Sequence, residues 1–406
     1  MRKSLLCLLW AVSIQVFAQP QWTGTWAIAM QPIFDSYRIA TNLSGHSVRQ
    51  TLRTSIGGDQ IRLKLSNIYS DEPLEIASIY IAVSSDSCDI LPKTARFVTF
   101  GGKKSVTVAA GQEAMSDAIC FPVEAQQDLS VTINYQYSPE NHTFHGAPFS
   151  LAYILPGKSK PRSSFANAER VEHWYDIAAM EVMSEAGAIA IIGNSITDGA
   201  GCHTGMYERW TDVLARELQK QGVPMGVLNL GIGANCVLRE AKGKPALERF
   251  DTQLLCQNGL RAVIIFEGVN DICGKGNTEE VTYRLIEAYK EMIAKARAKG
   301  LKVYGGTILP FGGHRYYTHF HEAARRTVND WIRSCGLYDG VIDFDAALCD
   351  PNEPTRMQEQ YQSDWLHPNP NGYEVMGRLA AEALFVSRQA ACLHHQAWHR
   401  QPPLIQ

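Results

Sequence analysis

The sequence predicts two domains of different class: an antiparallel β domain over residues 21–156 and an α/β domain over residues 185–390. In the first part, short segments alternate polar and apolar residues, which is typical of strands with one solvated face. From residue 186 onward, apolar runs of strand length alternate with helical segments, as in a parallel sheet covered by helices on both faces. A chain of 406 residues that is 45% hydrophobic can bury a core in each domain.

The β domain is predicted from its strand patterns and from the turns between them. The clearest alternation is Gln60-Ile61-Arg62-Leu63-Lys64-Leu65, and similar segments cover 74–83, 96–100, 105–108, 129–135 and 149–155. The glycine pairs at 57–58 and 101–102 supply turns. Short strands at this spacing predict an antiparallel sandwich or jelly roll. Residues 157–184 have no clear period and are predicted to be a connection.

The α/β domain shows five strand patterns separated by helical ones. Strands are predicted at 188–192, 227–229, 263–266, 302–306 and 341–344. Helices are predicted at 206–221, at 278–299, in a stretch that ends at about 335, and at 370–385. Asn369 can cap the last helix, and Pro370 suits its first position. The five strands therefore predict a parallel sheet. The polar residues 391–406 are predicted to form a loose tail.

The N-terminus has the composition of a secretory signal peptide. Arg2 and Lys3 precede an apolar run over residues 5–17, and Val16-Phe17-Ala18 fits the small-residue rule for cleavage. The run is too short for a membrane span, although a buried first helix is an alternative. We therefore expect residues 1–18 to be removed and the mature protein to be secreted or periplasmic.

Composition gives no indication of a nucleic-acid partner or of a metal cofactor. The formal net charge is −3, which is far from the basic balance of a nucleic-acid-binding chain. Nine of the ten cysteines remain after residue 18, without a C-x-x-C pair, which argues against a zinc cage or a redox motif. One or two disulfides are an option, with Cys88 and Cys120 as a candidate pair, and the other cysteines are expected to be buried thiols.

Ser195 is a candidate nucleophile because of its place in the chain. The apolar strand at 188–192 breaks at Gly193, and Ser195 follows two residues later in a turn that leads towards a helix. Open α/β sheets keep their chemistry at this carboxyl edge, where helix amides also favour a developing negative charge. Taken alone, a serine here is more often a helix cap.

Three other segments end at the same predicted edge. Asp364-Trp365-Leu366-His367 precedes the last helix, so Asp364 can orient the ring of His367 towards Ser195. Asn270 follows the strand at 263–266, and the small residues of 230–235 follow the strand at 227–229. Each segment alone could be an ordinary turn or surface feature. Because all of them are predicted to lie at the same edge of one sheet, a catalytic site is favoured.

These four segments resemble, in order and spacing, the four signature blocks of the SGNH (GDSL-type) hydrolase superfamily, over residues 186–385. The resemblance implies a flavodoxin-like three-layer α/β/α fold, with Ser195 as nucleophile, His367 as base and Asp364 as its orienter. It also implies an oxyanion hole formed by Ser195, Ala234 and Asn270. An N-terminal β domain before such a domain is similar to secreted bacterial members, some of which act on the acyl groups of polysaccharides.

The chain departs from the family pattern at two positions. Asn194 stands where the family has aspartate, and Ala234 stands where it has glycine, so the Ala234 amide is available only if that position does not require a positive φ. Asn194, Gly233, Gly268 and His314 are further candidates for the substrate cleft. His314, His319 and His321 could bind a metal, but no carboxylate is in clear register, and a loop bordering the cleft is favoured.

The sequence thus predicts a secreted serine esterase that needs no cofactor. The favoured substrates are small acyl esters, acetate first, on carbohydrates or polysaccharides. A lipase or lysophospholipase-like acylhydrolase is the alternative enzyme, and a catalytically inactive glycan-binding protein is the alternative of another class. Asp198 and Asp271 are predicted to be structural hydrogen-bonding residues.

Overall fold

The computed structural model describes residues 19–86 and 88–398, with side chains through Phe385. The predicted signal peptide, residues 1–18, and residues 399–406 of the predicted tail lie outside the described residues. The strands are β1 (Gln21–Ala27), β2 (Gln31–Pro32), β3 (His46–Arg53), β4 (Gly58–Ser66), β5 (Leu74–Val83), β6 (Arg96–Val98), β7 (Val106–Val108), β8 (Glu113–Met115), β9 (Ile119–Val123), β10 (Asp128–Tyr137), β11 (Thr143–His145), β12 (Ala152–Pro156), β13 (Glu169–Val171), β14 (Trp174–Tyr175), β15 (Ile177–Ser184), β16 (Gly187–Gly193), β17 (Met225–Gly231), β18 (Leu260–Phe266), β19 (Lys302–Gly306) and β20 (Gly340–Ile342).

The α-helices are α1 (Ser195–Asp198), α2 (Trp210–Lys220), α3 (Ala246–Arg249), α4 (Val269–Ile272), α5 (Thr278–Ala298), α6 (His319–Ser334), α7 (Phe344–Leu348) and α8 (Pro370–Trp398). Short 3₁₀ turns lie at Asp35–Tyr37, Pro92–Thr94 and Glu359–Tyr361, and a π-helical turn follows α3 at Phe250–Leu254. Among the described helices, none combines the length and apolarity that crossing a bilayer requires.

The N-terminal part is an antiparallel β-sandwich, as the sequence predicts. One sheet has the order β1-β15-β4-β8, with β9 also paired to β4, and the other has the order β13-β12-β3-β10-β5-β6, with β7 also paired to β5. In β4 the side chains of Ile61, Leu63 and Leu65 are fully buried, while the residues between them are partly exposed. This alternation places one face of the sheet in the core of the sandwich.

The prediction that residues 157–184 form a connection is wrong for its C-terminal part. β15 pairs with β1 on one side and with β4 on the other, so it is an interior strand of the first sheet. Its residues from Ile177 to Val182 are buried on both faces, because one face contributes to the sandwich core and Ala179 packs into the core of the second domain. Burial on both faces removes the alternation by which a strand is predicted.

The two domains share a buried interface instead of being joined by a linker. β1 packs against β17 through Gly24 and Gly226, and a Cβ on Gly226 would collide with the carbonyl oxygen of Gly24. Nearby, the backbone N–H of Val227 donates to Ser55 Oγ at 2.9 Å. The first sheet of the sandwich thus lies against an edge of the α/β domain, next to the strand that precedes the second sequence block.

The C-terminal domain has five parallel strands in the order β17-β16-β18-β19-β20, which confirms the predicted flavodoxin-like sheet. β16 lies between β17 and β18, and its successive side chains face opposite layers. Ile189 and Ile191 pack with the layer that contains α2 and α8, whereas Ala190 and Ile192 pack with the layer that contains α5 and α6. The carboxyl ends of β16, β17 and β18 therefore meet at one edge.

Three predicted boundaries are corrected by the structure. The strand predicted at 149–155 begins only at Ala152, because Phe149 has a φ of 50°. The helix predicted from 206 begins at Trp210, after Tyr207 with a φ of 52°. The last helix runs to Trp398, so the predicted loose tail is helical over 391–398. Asn369 Oδ1 accepts from Gly372 N–H at 3.1 Å, which confirms the predicted cap.

Candidate active site

Ser195 is held at the junction between the interior strand β16 and a short helix. It is the first residue of α1 and follows β16 by two residues. The side chain of Asn194 caps the helix by accepting from the Ile196 N–H at 3.1 Å. A side chain at Gly193 would collide with Thr197, so this tight turn requires glycine. The turn leaves Ser195 half-buried at the carboxyl edge of the sheet.

The structure brings Ser195, His367 and Asp364 together in one hydrogen-bonded row. His367 Nε2 lies 2.8 Å from Ser195 Oγ, and His367 Nδ1 lies 2.8 Å from Asp364 Oδ2. Burial alone would raise the pKa of Asp364, but hydrogen bonds from the His367 ring and from the amides of His367 and Leu366 hold that pKa well below its usual value. Asp364 is therefore an anion that can orient the ring and stabilise its charged form.

The loop that carries Asp364 and His367 is fixed by its own hydrogen bonds. The Ser363 N–H donates to the His367 carbonyl at 2.9 Å, and the Trp365 N–H donates to Gln362 Oε1 at 2.8 Å. Trp365 has a φ of 68°, which is an unfavourable conformation for a bulky residue. The loop thus closes into a tight turn in which the carboxylate can face both the amide and the ring of the histidine.

The three groups proposed for the oxyanion hole lie on the ends of β16, β17 and β18. Asn270 is in α4, directly after β18, and one N–H of its side-chain amide donates to the Asn235 carbonyl at 2.9 Å, which leaves the second N–H available. Within the described residues, the backbone N–H groups of Ser195 and Ala234 donate to no protein acceptor. Ala234 is exposed and has a φ of 59°, so the position does adopt the left-handed conformation that glycine takes most readily. The condition drawn from the sequence is therefore wrong, because alanine takes this conformation and, within the described residues, its N–H still has no protein acceptor.

The structure divides the four cleft candidates into two pairs. Asn194, which is 2% exposed, and Gly268 are buried, so they support the site from below and their prediction as cleft residues is wrong. Gly268 has a φ of 112°, and a Cβ there would collide with the Tyr289 hydroxyl. Gly233 is partly exposed, and its N–H donates to Asp198 Oδ2 at 2.8 Å.

The loop with His314 packs against the loop that carries Asp364 and His367. Burial lowers the pKa of His314, Asp364 acts in the opposite direction, and His367 lowers it further. A Cβ on Gly313 would lie 3.1 Å from Trp365 Cγ, so the two loops pack together. The role of the His314 segment as a border of the cleft remains a prediction.

A buried ionic network below the site was not predicted from the sequence. Glu267 directly follows β18, is fully buried and accepts from Asn194 Nδ2 at 3.1 Å. Arg249 lies 3.9 Å from it and donates to Asn235 Oδ1 and to the carbonyls of Leu230 and Gly193. Burial raises the pKa of Glu267 to about 8. The carboxylate next to Gly268 in the third block was the only sequence signal for this network.

Two further predictions concern aspartates and cysteines. Asp198 and Asp271 are structural, as predicted, since Asp271 accepts from the N–H groups of Val237 and Leu238. The predicted Cys88–Cys120 disulfide is wrong, because both are free thiols in the structure, Cys120 on the exposed surface. In the described part of the chain, Asp86, Cys88 and Asp89 form a group of three potential metal ligands whose ligand atoms lie close together. This group does not include His314, His319 or His321.

Comparison with known families agrees with this geometry. Residues 191–375 match the family model of the GDSL-like lipase/acylhydrolase family. The C-terminal domain is a GDSL-like lipase/acylhydrolase domain. The matched range begins within β16 and ends in α8, so it contains all four sequence blocks. The GDSL domain makes this protein a serine hydrolase that acts on ester bonds.

Solved structures similar to the chain cover about half of it. A GDSL-like lipase from Bacteroides thetaiotaomicron is 19% identical and covers 49% of this chain and 88% of its own, with a TM-score of 0.37. A member of the lipolytic G-D-S-L family from Veillonella parvula is 19% identical and covers 49% of this chain and 99% of its own, with a TM-score of 0.38. An acetylxylan esterase from Geobacillus stearothermophilus is 16% identical and covers 49% of this chain and 95% of its own, with a TM-score of 0.39. The search of curated proteins found no match.

Proposed function

We propose that this protein is a secreted esterase that removes small acyl groups, acetate first, from carbohydrates. The observation that carries the catalytic part is the hydrogen-bonded row from Ser195 Oγ through His367 to Asp364, with 2.8 Å at each step. This row has the geometry of a nucleophile, a general base and an orienting acid. The ends of β16, β17 and β18 carry three N–H groups that can receive an oxyanion, those of Ser195, Ala234 and Asn270.

The proposed reaction is acyl transfer in two steps. Ser195 Oγ attacks the ester carbonyl while His367 Nε2 takes the hydroxyl proton, and Asp364 stabilises the imidazolium. The N–H groups of Ser195 and Ala234 and the free amide N–H of Asn270 stabilise the oxyanion. The alcohol leaves with the proton from His367. Water, activated by the same ring, then attacks the acyl-serine, which releases the acid and restores the serine.

Exposed aromatic side chains in the segment that follows His314 support a sugar alcohol and a short acyl group. In the loop at 311–318 and the first turn of α6, the large hydrophobic side chains that are exposed are aromatic, Tyr316 at 42% and Phe320 at 77%. Aromatic ring faces attract the polarised C–H groups of a sugar ring. A channel for a long acyl chain would instead need exposed aliphatic side chains. Within the described residues, large exposed side chains of that kind are Leu91 and Met206, both outside this loop.

Export is part of the proposal and rests on the composition of residues 1–18. The measurement is the N-terminal sequence of the protein recovered from the periplasm or the medium, which we expect to begin at Gln19. Recovery of the full-length chain from the cytoplasm alone would contradict this part of the proposal.

The decisive test is the variant Ser195→Ala with p-nitrophenyl esters of increasing acyl length and with acetylated polysaccharides. We expect the wild-type protein to prefer acetate and the variant to lose at least about 10⁴-fold in kcat, because the nucleophile is absent. The thermal midpoint should remain nearly unchanged, since among the described residues Ser195 Oγ is hydrogen-bonded only to His367. The exposed residue Ser164 provides the control Ser164→Ala, which should retain activity. Full activity of Ser195→Ala would refute the proposal, and preference for long acyl chains would favour a lipase.

A further inference from the structure

A histidine of the β-sandwich is hydrogen-bonded to the helix that begins with Ser195. His145 ends β11, and its side chain is fully buried. His145 Nε2 lies 2.9 Å from Asp198 Oδ1, and Asp198 is the last residue of α1. His145 Nδ1 lies 2.6 Å from the Ala29 carbonyl oxygen. The contact thus joins the two domains one helical turn from the nucleophile.

The partners of His145 determine which form of the ring satisfies them. The Ala29 carbonyl can only accept, so Nδ1 must carry a proton. Asp198 is a carboxylate that accepts from Gly233 N–H through its second oxygen, so Nε2 donates to its first oxygen. Both ring nitrogens therefore face oxygen atoms, and a ring that donates from both can balance the negative charge of Asp198.

Asp198 connects this pair to the oxyanion hole. Its Oδ2 holds the N–H of Gly233 at 2.8 Å, and Gly233 directly precedes Ala234. An unpaired carboxylate here would lie close to the developing negative charge on the substrate oxygen and would oppose it. The carboxylate can hold the loop without this penalty only while a positive group neutralises it.

We propose that His145 is a positioning residue of the active site, supplied by the β-sandwich, which fixes Asp198 and thereby the oxyanion loop at 231–235. This inference rests on the proposed esterase function and assigns a role to the N-terminal domain. Other sandwich residues hold the continuation of the same loop. Gln31 Nε2 donates to the Lys242 carbonyl, and Gln31 Oε1 accepts from Gly146 N–H at 2.9 Å, next to His145.

The test compares His145→Ala and His145→Gln with the matched control His142→Ala. His142 is also buried in the sandwich, at 7% exposed, and its ring bonds to the Pro139 carbonyl and not to the GDSL domain. Loss of His145 should lower kcat for p-nitrophenyl acetate by about 10²-fold with KM changed less than about threefold, because only the transition-state geometry is disturbed. His142→Ala should lower stability but leave kcat of the folded protein unchanged.

The glutamine variant separates charge from shape. It can donate one N–H to Asp198 but carries no charge, so we expect a loss of about tenfold in kcat, between the wild type and the alanine variant. Adding Asp198→Asn to His145→Gln removes the unbalanced carboxylate while keeping an acceptor for Gly233, and should recover part of the lost kcat. Thermal midpoints of all variants show whether the compared proteins are folded.

Two results would overturn the inference. One is a kcat for His145→Ala and His145→Gln equal to that of His142→Ala at matched folded fractions. The other is a fall in kcat with no recovery in the double variant. Failure of the proposed function is seen separately, as absence of ester hydrolysis in the wild type or as full activity of Ser195→Ala, and would refute both. Loss confined to the His145 variants, with recovery in the double variant, supports the positioning role.

Discussion

At position 194, an amide stands where the family pattern has a carboxylate. The Asn194 side chain uses both of its polar atoms: Oδ1 caps α1, and Nδ2 donates to Glu267 Oε2 at 3.1 Å. A carboxylate at 194 could still cap the helix, but it would place a charge in a buried site where the amide is neutral. The Asn194 amide instead donates to Glu267, the residue that directly follows β18.

At position 234, the departure from glycine has a cost in backbone strain. Ala234 has a φ of 59°, and its Cβ crowds the following carbonyl in this left-handed conformation. The cost for a residue with a Cβ is about 1–2 kcal/mol. The loop keeps this conformation because its neighbours are fixed: Gly233 N–H is bonded to Asp198, and Asn235 Oδ1 is bonded to Arg249.

Ala234→Gly should stabilise the protein by about 0.5–1 kcal/mol. The gain is the relief of left-handed strain, reduced by the larger entropy that glycine gives the unfolded chain, about 0.4–1 kcal/mol. The free energy of unfolding in urea measures it, and kcat should stay within about twofold because the N–H keeps its direction. A loss of stability would show that the alanine side chain makes a stabilising contact at this exposed site.

At the scale of elements, the loops that follow β16, β17 and β18 are tied together by one buried arginine. Arg249, at the end of α3, donates to the carbonyls of Leu230 and Gly193 at 2.7 and 3.2 Å, which lie at the ends of β17 and β16. It also lies 3.9 Å from Glu267 after β18. These bonds fix the three strand ends whose loops carry Ala234, Ser195 and Asn270.

Glu267→Gln should remove part of the pH dependence of stability. Burial raises the pKa of Glu267 to about 8, from its usual value of 4.5. Between these values the folded protein retains a proton that the unfolded chain releases, so this group lowers the free energy of unfolding as pH rises, by up to about 1.4 kcal/mol per pH unit. Below about 4.5 and above about 8 its contribution is constant.

Urea unfolding of wild type and Glu267→Gln at several pH values between 4.5 and 8 measures this effect as a difference, in which the other titrating groups cancel. We expect the stability of the wild type relative to the variant to fall steadily across this window. A difference that does not depend on pH, or that increases with pH, would show that Glu267 is ionised in the folded protein.

At the scale of the whole molecule, the β-sandwich and the GDSL domain behave as one packed unit. β15 is an interior strand of the sandwich, and only two residues separate its end from the start of β16. Alanines of β1 and β15, Ala27 and Ala179, belong to the same apolar core as Ala190 and Ile192 of the parallel strand β16. Because this core is shared, we expect both domains to unfold in a single transition.

Gly226→Ala tests the interface between the domains. The added methyl would collide with the Gly24 carbonyl and would lie 3.1 Å from Ala188 Cβ, so β1 must move away from β17. We expect a loss of about 1–3 kcal/mol in the free energy of unfolding, typical of overpacking in a buried contact. A loss below about 0.5 kcal/mol would mean that the two strands separate easily, contrary to a shared core.

Much of the second domain could be predicted from the sequence because its signals are local. The apolar run before Gly193 and the helical patterns that follow determine the alternation of strands and helices, and parallel strands must then bring Ser195, Asn270 and His367 to one edge. The contact between Ser195 and His367 was expected on this ground. β15 and the true extent of the sandwich were missed because burial on both faces leaves no alternation in Ile177–Ser184.

The sequence alone determined the two fold classes, the order of the four blocks and the residues that can form the catalytic row, since these depend on periodicity and on the spacing of particular side chains. Only the tertiary structure determined that His145 lies against Asp198, that Arg249 and Glu267 are buried below the site, and that Ala234 has a positive φ. These features join residues far apart in the chain, and no local pattern encodes a contact between distant segments. They become visible only when packing fixes which polar groups are removed from water and must find partners.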